Sequence, residues 1–165
     1  MSVPIVVDEW LFHDLMGQNG SEKQYQTLAF LSKLLEICDR IVVLANSPFQ
    51  VKAGELMSSS NPVVRGMSQF FNTSILLNSE KTELIDVNDL PPLTGHLRGI
   101  PQGDQYLFQA YLKLKTKGSF ILTTDSRWKP SIIKKASIVI KMRDEFLKEY
   151  LTRTRTSPNS ISNNA

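Results

Sequence analysis

The chain has 165 residues, 41% of them hydrophobic and 21% charged, with a formal net charge of +3; that is the profile of a single soluble globular domain. One cysteine, Cys38, excludes an internal disulfide, and two histidines with it are too few for a structural zinc site. No run approaches the apolar length needed to cross a bilayer, and the N-terminus lacks the basic-then-apolar pattern of a secretory leader, so a cytoplasmic location is expected.

The charge is divided unevenly. Residues 1–126 hold 10 Lys/Arg against 13 Asp/Glu, whereas residues 127–165 hold 9 against 3. An acidic body beside a basic C-terminal segment suits an anionic polymer docking near an acidic centre. A solvated helix face followed by a soluble tail accounts for the same numbers.

In chain order, residues 3–8 read as a short apolar strand ending on Asp8, and WLFHDLM as a first helical segment. Ser21 is placed to cap a helix in which Leu28, Leu31, Leu34, Leu35 and Cys38 recur at spacings of three and four. RIVVLAN is a second buried strand. Ser47 and Pro48 then form a cap and first-turn proline for a short helix carrying Glu55. SSSNP is a loop, VVRGMSQFF fits a strand or a helical turn, and TSILLN with TELIDV is expected to pair as a hairpin around NSEK. The Gly- and Pro-rich LPPLTGHLRGIPQG is an irregular surface connection.

Asp104 opens an amphipathic helix with Leu107, Phe108, Tyr111 and Leu114 on its apolar stripe and Gly118 as its C-cap. FILTTD is a strand ending at Asp125, SIVIK a further strand, and RDEFLKEYL the closing helix. The alternation predicts a three-layer α/β domain over residues 1–151, with a central, mainly parallel sheet and helices on both faces. Residues 58–102 form a longer central insertion, and 152–165, without apolar surface to pack, are expected to be a disordered tail.

Open parallel sheets gather functional groups beyond the carboxyl ends of their strands. Asp8 and Asp125 end strands, Asp104 starts the helix that leads back into the strand of Asp125, and Glu55 follows the second strand. All four carboxylates are therefore expected at one edge of the sheet. Clustered carboxylates repel one another, and a hard divalent cation, Mg²⁺ or Mn²⁺, removes that cost. One ion, or two roughly 3.5–4 Å apart, would activate water against a phosphodiester. Each acid also has a structural explanation: a helix cap for Asp104, strand-end turns for Asp8 and Asp125, and an exposed helix face for Glu55. Thr123 and Thr124 are candidate supports for a carboxylate or phosphate. Arg127, Trp128 and Lys129 are candidate RNA contacts, with Lys134, Lys135, Arg153 and Arg155 adding basic charge nearby.

On VVDEW, AGELM, GDQYLFQAY, ILTTD and the closing SIVIKMRDEFLKEYL, residues 3–151 resemble the PIN domain, a fold of many metal-dependent ribonucleases. The resemblance implies that Asp8, Glu55, Asp104 and Asp125 are the catalytic, metal-holding acids. It implies endoribonuclease activity on RNA, either toxin-like with an antitoxin partner or in RNA processing, and homodimers. Catalytically inactive relatives make an interaction subunit of an RNA-processing or antiviral assembly the alternative. One departure stands out: Glu9 and Trp10 follow the first aspartate where the family often carries a hydroxyl residue and Asn or Ser. Glu9 either supplements the metal site or, as the next residue along a strand, points away from it.

Overall fold

The computed structural model describes residues 2–128 and 137–153. Five strands, β1 (Pro4–Val7), β2 (Arg40–Ala45), β3 (Thr82–Asp86), β4 (Phe120–Thr123) and β5 (Ile140–Met142), form one sheet in the order β3-β2-β1-β4-β5. Every strand pair is parallel, with Ile5 of β1 registered against both Ile41 of β2 and Phe120 of β4. Six α-helices are described: α1 (Trp10–Leu15), α2 (Ser21–Glu36), α3 (Pro48–Met57), α4 (Pro62–Phe71), α5 (Gln105–Leu114) and α6 (Arg143–Tyr150).

The central strands are apolar throughout because both of their faces are covered. Ile5, Val7, Ile41, Val43, Phe120 and Leu122 point into a core shared with α1, α2, α3, α4 and α6. Val6, Val42, Leu44 and Ile121 point the other way, against Leu107, Phe108 and Tyr111 of α5. The architecture is thus the expected three-layer α/β domain. No helix among the described residues is long and apolar enough to cross a membrane.

Several local expectations hold. Ser47 Oγ accepts the Phe49 amide at 3.2 Å at the start of α3, with Pro48 in its first turn. Gly118 takes the left-handed conformation, φ +74°, after the turn that closes α5, a conformation that costs glycine little.

The expected hairpin is absent. TSILLN lies mostly in a π-helical turn, Asn72–Leu76, that continues α4, and TELID is β3, paired parallel to β2. Buried Val64, Met67, Phe71 and Ile75 extend one stripe at spacings of three and four across the junction. That stripe outweighs the β-propensity of the short run. VVRGMSQFF is helix, its start set by Asn61 Oδ1 accepting from the Val63 and Val64 amides. Gly20, not Ser21, is the residue before α2. Cys38 is exposed rather than packed, because α2 ends two residues earlier at Glu36.

Two buried cations fasten the layers. Lys81, just before β3, donates from Nζ to the carbonyl oxygens of Leu34 (2.8 Å) and Ile37 at the end of α2. Arg143, 1% exposed, opens α6; its Nε lies 2.8 Å from Asp14 Oδ2, also 1% exposed. The rest of the guanidinium donates to Thr27 Oγ1, Gln26 Oε1 and the Lys23 carbonyl of α2, while Asp14 accepts from Thr27 Oγ1 and Asn19 Nδ2. The bound guanidinium also stands 5.2 Å from the Trp10 ring centre. These contacts hold α1, α2 and α6 as one unit beside the sheet edge that carries Asp8.

Candidate active site

β1 stops at Val7, and the chain turns immediately into α1. Asp8 occupies that turn, its amide donating to the Leu122 carbonyl of β4. Trp10 Nε1 donates to the same carbonyl at 2.9 Å, so the start of α1 is pinned to the neighbouring strand. On β4, Thr123 is the last residue, followed by Thr124 and Asp125. Asp104 comes from the connection leading into α5. Asp8, Asp104 and Asp125 line one open concavity at the carboxyl edge of the sheet, together with Glu9, Trp10, His13, Asn19, Gly103, Tyr106 and Thr124.

Asp104 occupies the N-cap position of α5, yet its side chain makes no capping hydrogen bond. Its carboxylate faces Arg127 instead, so the cap explanation fails for this residue. Asp8 is held by protein donors on both oxygens: the Glu9 amide reaches Oδ1 at 2.6 Å and Thr123 Oγ1 reaches Oδ2 at 2.8 Å. Burial pushes the Asp8 carboxyl above the ordinary aspartate range, against those two hydrogen bonds, with the charges of Glu9 and Asp125 adding to the rise. Asp104 is raised as well, first by burial and then by Asp8 and Asp125, with Arg127 opposing. Asp125 is held low by hydrogen bonds from Arg127. Burial is thus the main cause of the rise at Asp8 and Asp104, and the neighbouring acids add a smaller repulsion.

Thr123 donates to Asp8, and its hydroxyl also accepts the Asp125 amide at 3.0 Å. Thr124 lines the concavity. Glu9 does not point away. It lies past the end of β1 in helical conformation, so strand alternation no longer governs it, and its side chain joins the concavity. Its carboxylate approaches His13 Nε2 at 3.7 Å.

Glu55 is not brought into the concavity. It sits on the exposed side of α3, where its carboxylate pairs with Lys52 at 3.1 Å. Three residues of helix separate these two, an ordinary surface pairing. Arg127, expected to face RNA, instead turns back on the acids. Its Nε donates to both Asp125 oxygens at 3.0 and 2.9 Å, and its Nη2 reaches Asp125 Oδ2 at 2.5 Å and Asp104 Oδ2 at 3.2 Å. Trp128 packs edge-on against Phe108 of α5, ring centres 5.1 Å apart, and so braces the acidic loop. Lys129, Lys134, Lys135 and Arg155 lie outside the described residues, as does the tail from residue 154. Arg153 belongs elsewhere, 3.6 Å from Asp39 and stacked on Tyr150.

Trp10, His13, Asn19, Gly103 and Tyr106 of the concavity escaped the sequence reading as site members, and His13 and Tyr106 among them bear titratable groups. His13 stands four residues after Glu9, a helical spacing that would have paired them once α1 was extended back to Glu9. Tyr106 carried no local signal. Burial, then the charges of Asp8, Glu9 and Asp104, push its phenol well above the ordinary tyrosine range, so it remains a hydrogen-bond donor at neutral pH.

Comparison with protein-family models, curated proteins and solved structures gave no match.

Asp8, Asp104 and Asp125 are hard oxygen donors of the type that Mg²⁺ and Mn²⁺ take. Among the described residues no three acidic, histidine or cysteine side chains are gathered closely enough to hold a metal ion, and Arg127 pairs with both Asp104 and Asp125.

Proposed function

We propose that the chain is a PIN-like, Mg²⁺- or Mn²⁺-dependent endoribonuclease that hydrolyses RNA phosphodiesters. The observation that carries the reading is the meeting of Asp8, Asp104 and Asp125, contributed by three separate segments, in one concavity at the carboxyl edge of a parallel sheet. Asp8, Asp104 and Asp125 would hold the ion, with Glu55 left outside the set. A bound divalent ion supplies a water of lowered pKa and offsets charge on the scissile phosphate.

The protein's own groups have distinct parts. Thr123 and the Glu9 amide hold Asp8 by one hydrogen bond to each oxygen, which leaves each oxygen a further lone pair. Tyr106, kept protonated, offers a neutral donor to a phosphate or ribose oxygen. The concavity is wide and open, in keeping with a polymer passing across it rather than a small ligand enclosed by it. An antitoxin or RNA-processing protein, and a second copy of the chain, are the partners proposed with this activity.

The double variant Asp104→Asn/Asp125→Asn tests it. Loss of Mg²⁺- or Mn²⁺-dependent cleavage of single-stranded RNA, with unchanged circular dichroism, supports the assignment; undiminished cleavage overturns it.

A second reading, a PIN-like interaction subunit without catalysis, is favoured by one observation: Arg127 already neutralises two of the three acids. NMR with Mn²⁺ separates the two. Selective broadening of Asp8, Asp104 and Asp125 signals speaks for the nuclease, and uniform spectra for the subunit.

A further inference from the structure

We infer that Arg127 is a tethered competitor of the divalent ion, a guanidinium that must leave Asp104 and Asp125 for metal to bind and is then free to take an RNA phosphate. The inference rests on the ribonuclease reading and adds a gate to it.

The geometry assigns the role. Arg127 is two residues from Asp125, in the helical turn Ser126–Trp128, and its own amide donates to Asp125 Oδ1 at 3.0 Å. Its guanidinium makes three hydrogen bonds to Asp125 and one to Asp104, so it joins carboxylates from two different segments. Arg127 thus occupies two of the three carboxylates, Asp104 and Asp125, that would hold a divalent ion. The tether is short, which keeps the competing charge at high local concentration.

The arm and its anchor are different side chains, although the guanidinium also stands 5.3 Å from the Trp128 ring centre. The Arg127 side chain is 60% exposed, whereas the carboxylates it grips are 22% and 23% exposed. Its neighbour Trp128 is fixed edge-on to Phe108, so the turn stays docked on α5 when the arm swings outward. Exposed ion pairs are individually weak and exchange readily. Release therefore leaves the fold intact and exposes two carboxylates and a planar guanidinium suited to bidentate phosphate contact. An RNA phosphate that engages Arg127 removes the competitor, so RNA and metal favour each other's binding by the same factor.

Two measurements on the full chain test this. Calorimetric titration with Mn²⁺, without RNA, compares the wild type with Arg127→Gln; the variant is expected to bind roughly five- to twentyfold more tightly. In the ¹⁵N-labelled wild type, which requires no variant, the Arg127 Nε–H signal is expected to shift or vanish in step with Mg²⁺ addition. Equal or weaker Mn²⁺ binding by the variant, or an Nε–H signal unmoved at saturating Mg²⁺, overturns the gate and leaves the ribonuclease reading standing. Absence of metal binding in both proteins overturns both.

Discussion

Thr123 Oγ1 donates to Asp8 Oδ2 at 2.8 Å and itself accepts the Asp125 amide at 3.0 Å. A single side chain at the end of β4 thereby ties the first acid of the chain to the loop of the last. Replacing it by valine keeps the shape and removes both bonds. Thr123→Val is expected to cost about 1–2 kcal/mol of stability, measured by urea unfolding, because the buried hydroxyl partners lose their bonds. It should also raise the Asp8 pKa further, since the lost hydrogen bond favours the charged form, and weaken Mn²⁺ binding. Thr123→Ser is expected to recover most of both.

The acids predict an unusual pH response. Asp8 and Asp104 have folded pKa values above the ordinary 3.8, so the native state binds their protons more tightly than the unfolded chain does. Across the window from about pH 4 to those raised values, their contribution to stability falls as pH rises. Asp125, held low by Arg127, acts in the opposite sense: its contribution is present above 3.8 and lost as pH falls through its lowered value. That second effect is small because the pair is exposed to solvent. Thermal unfolding as a function of pH checks this. Asp8→Asn should flatten the profile just above pH 4. A profile that keeps its slope there would contradict the assigned desolvation of Asp8.

The Asp14–Arg143 pair is a structural anchor rather than part of the chemistry, since both groups are buried behind α1. Removing Arg143 leaves Asp14 without its counter-ion in the interior, so Arg143→Met is expected to destabilise the protein by about 3–5 kcal/mol in chemical denaturation. Asp14→Ala should cost less, because Arg143 keeps a second carboxylate partner, Asp144, at 2.6 Å. The double variant should cost less than the sum of the two, because the stranded charge disappears with its partner.

Lys81 stitches the segment ahead of β3 to the end of α2. Lys81→Met preserves the length of the stem and removes the ammonium, leaving the carbonyls of Leu34 and Ile37 without this donor. About 1–3 kcal/mol of stability should be lost. The loss should be accompanied by faster amide exchange in β3, Thr82–Asp86, and unchanged exchange in β4.

How much of this was legible in the chain depends on range. Apolar runs and their spacing disclosed β1, β2, β4, the stripe of α5 and the three-layer order, because burial on both faces forces a strand to be apolar throughout. The misread hairpin shows the limit of short windows. Ile75 belongs to a stripe that begins at Val64, and only the longer window reveals that α4 runs on into a π-helical turn. Asp8, Asp104 and Asp125 were identifiable because each follows or precedes an element whose end the pattern marks. Glu55 met the same rule and still lies apart, since the rotation of α3 about its axis decides which side of the helix faces the sheet edge.

By itself, then, the sequence determined the parallel sheet, the layer order and the edge toward which three aspartates are carried, all consequences of apolar periodicity and of strand direction. Tertiary structure alone decided that Arg127 folds back to grip Asp104 and Asp125, that Thr123 joins Asp8 to the Asp125 loop, and that Tyr106 and His13 share their concavity. Those relations join residues from separate segments through the direction of individual side chains. Direction depends on what each side chain finds to pair with once the backbone has closed, and no local spacing encodes it.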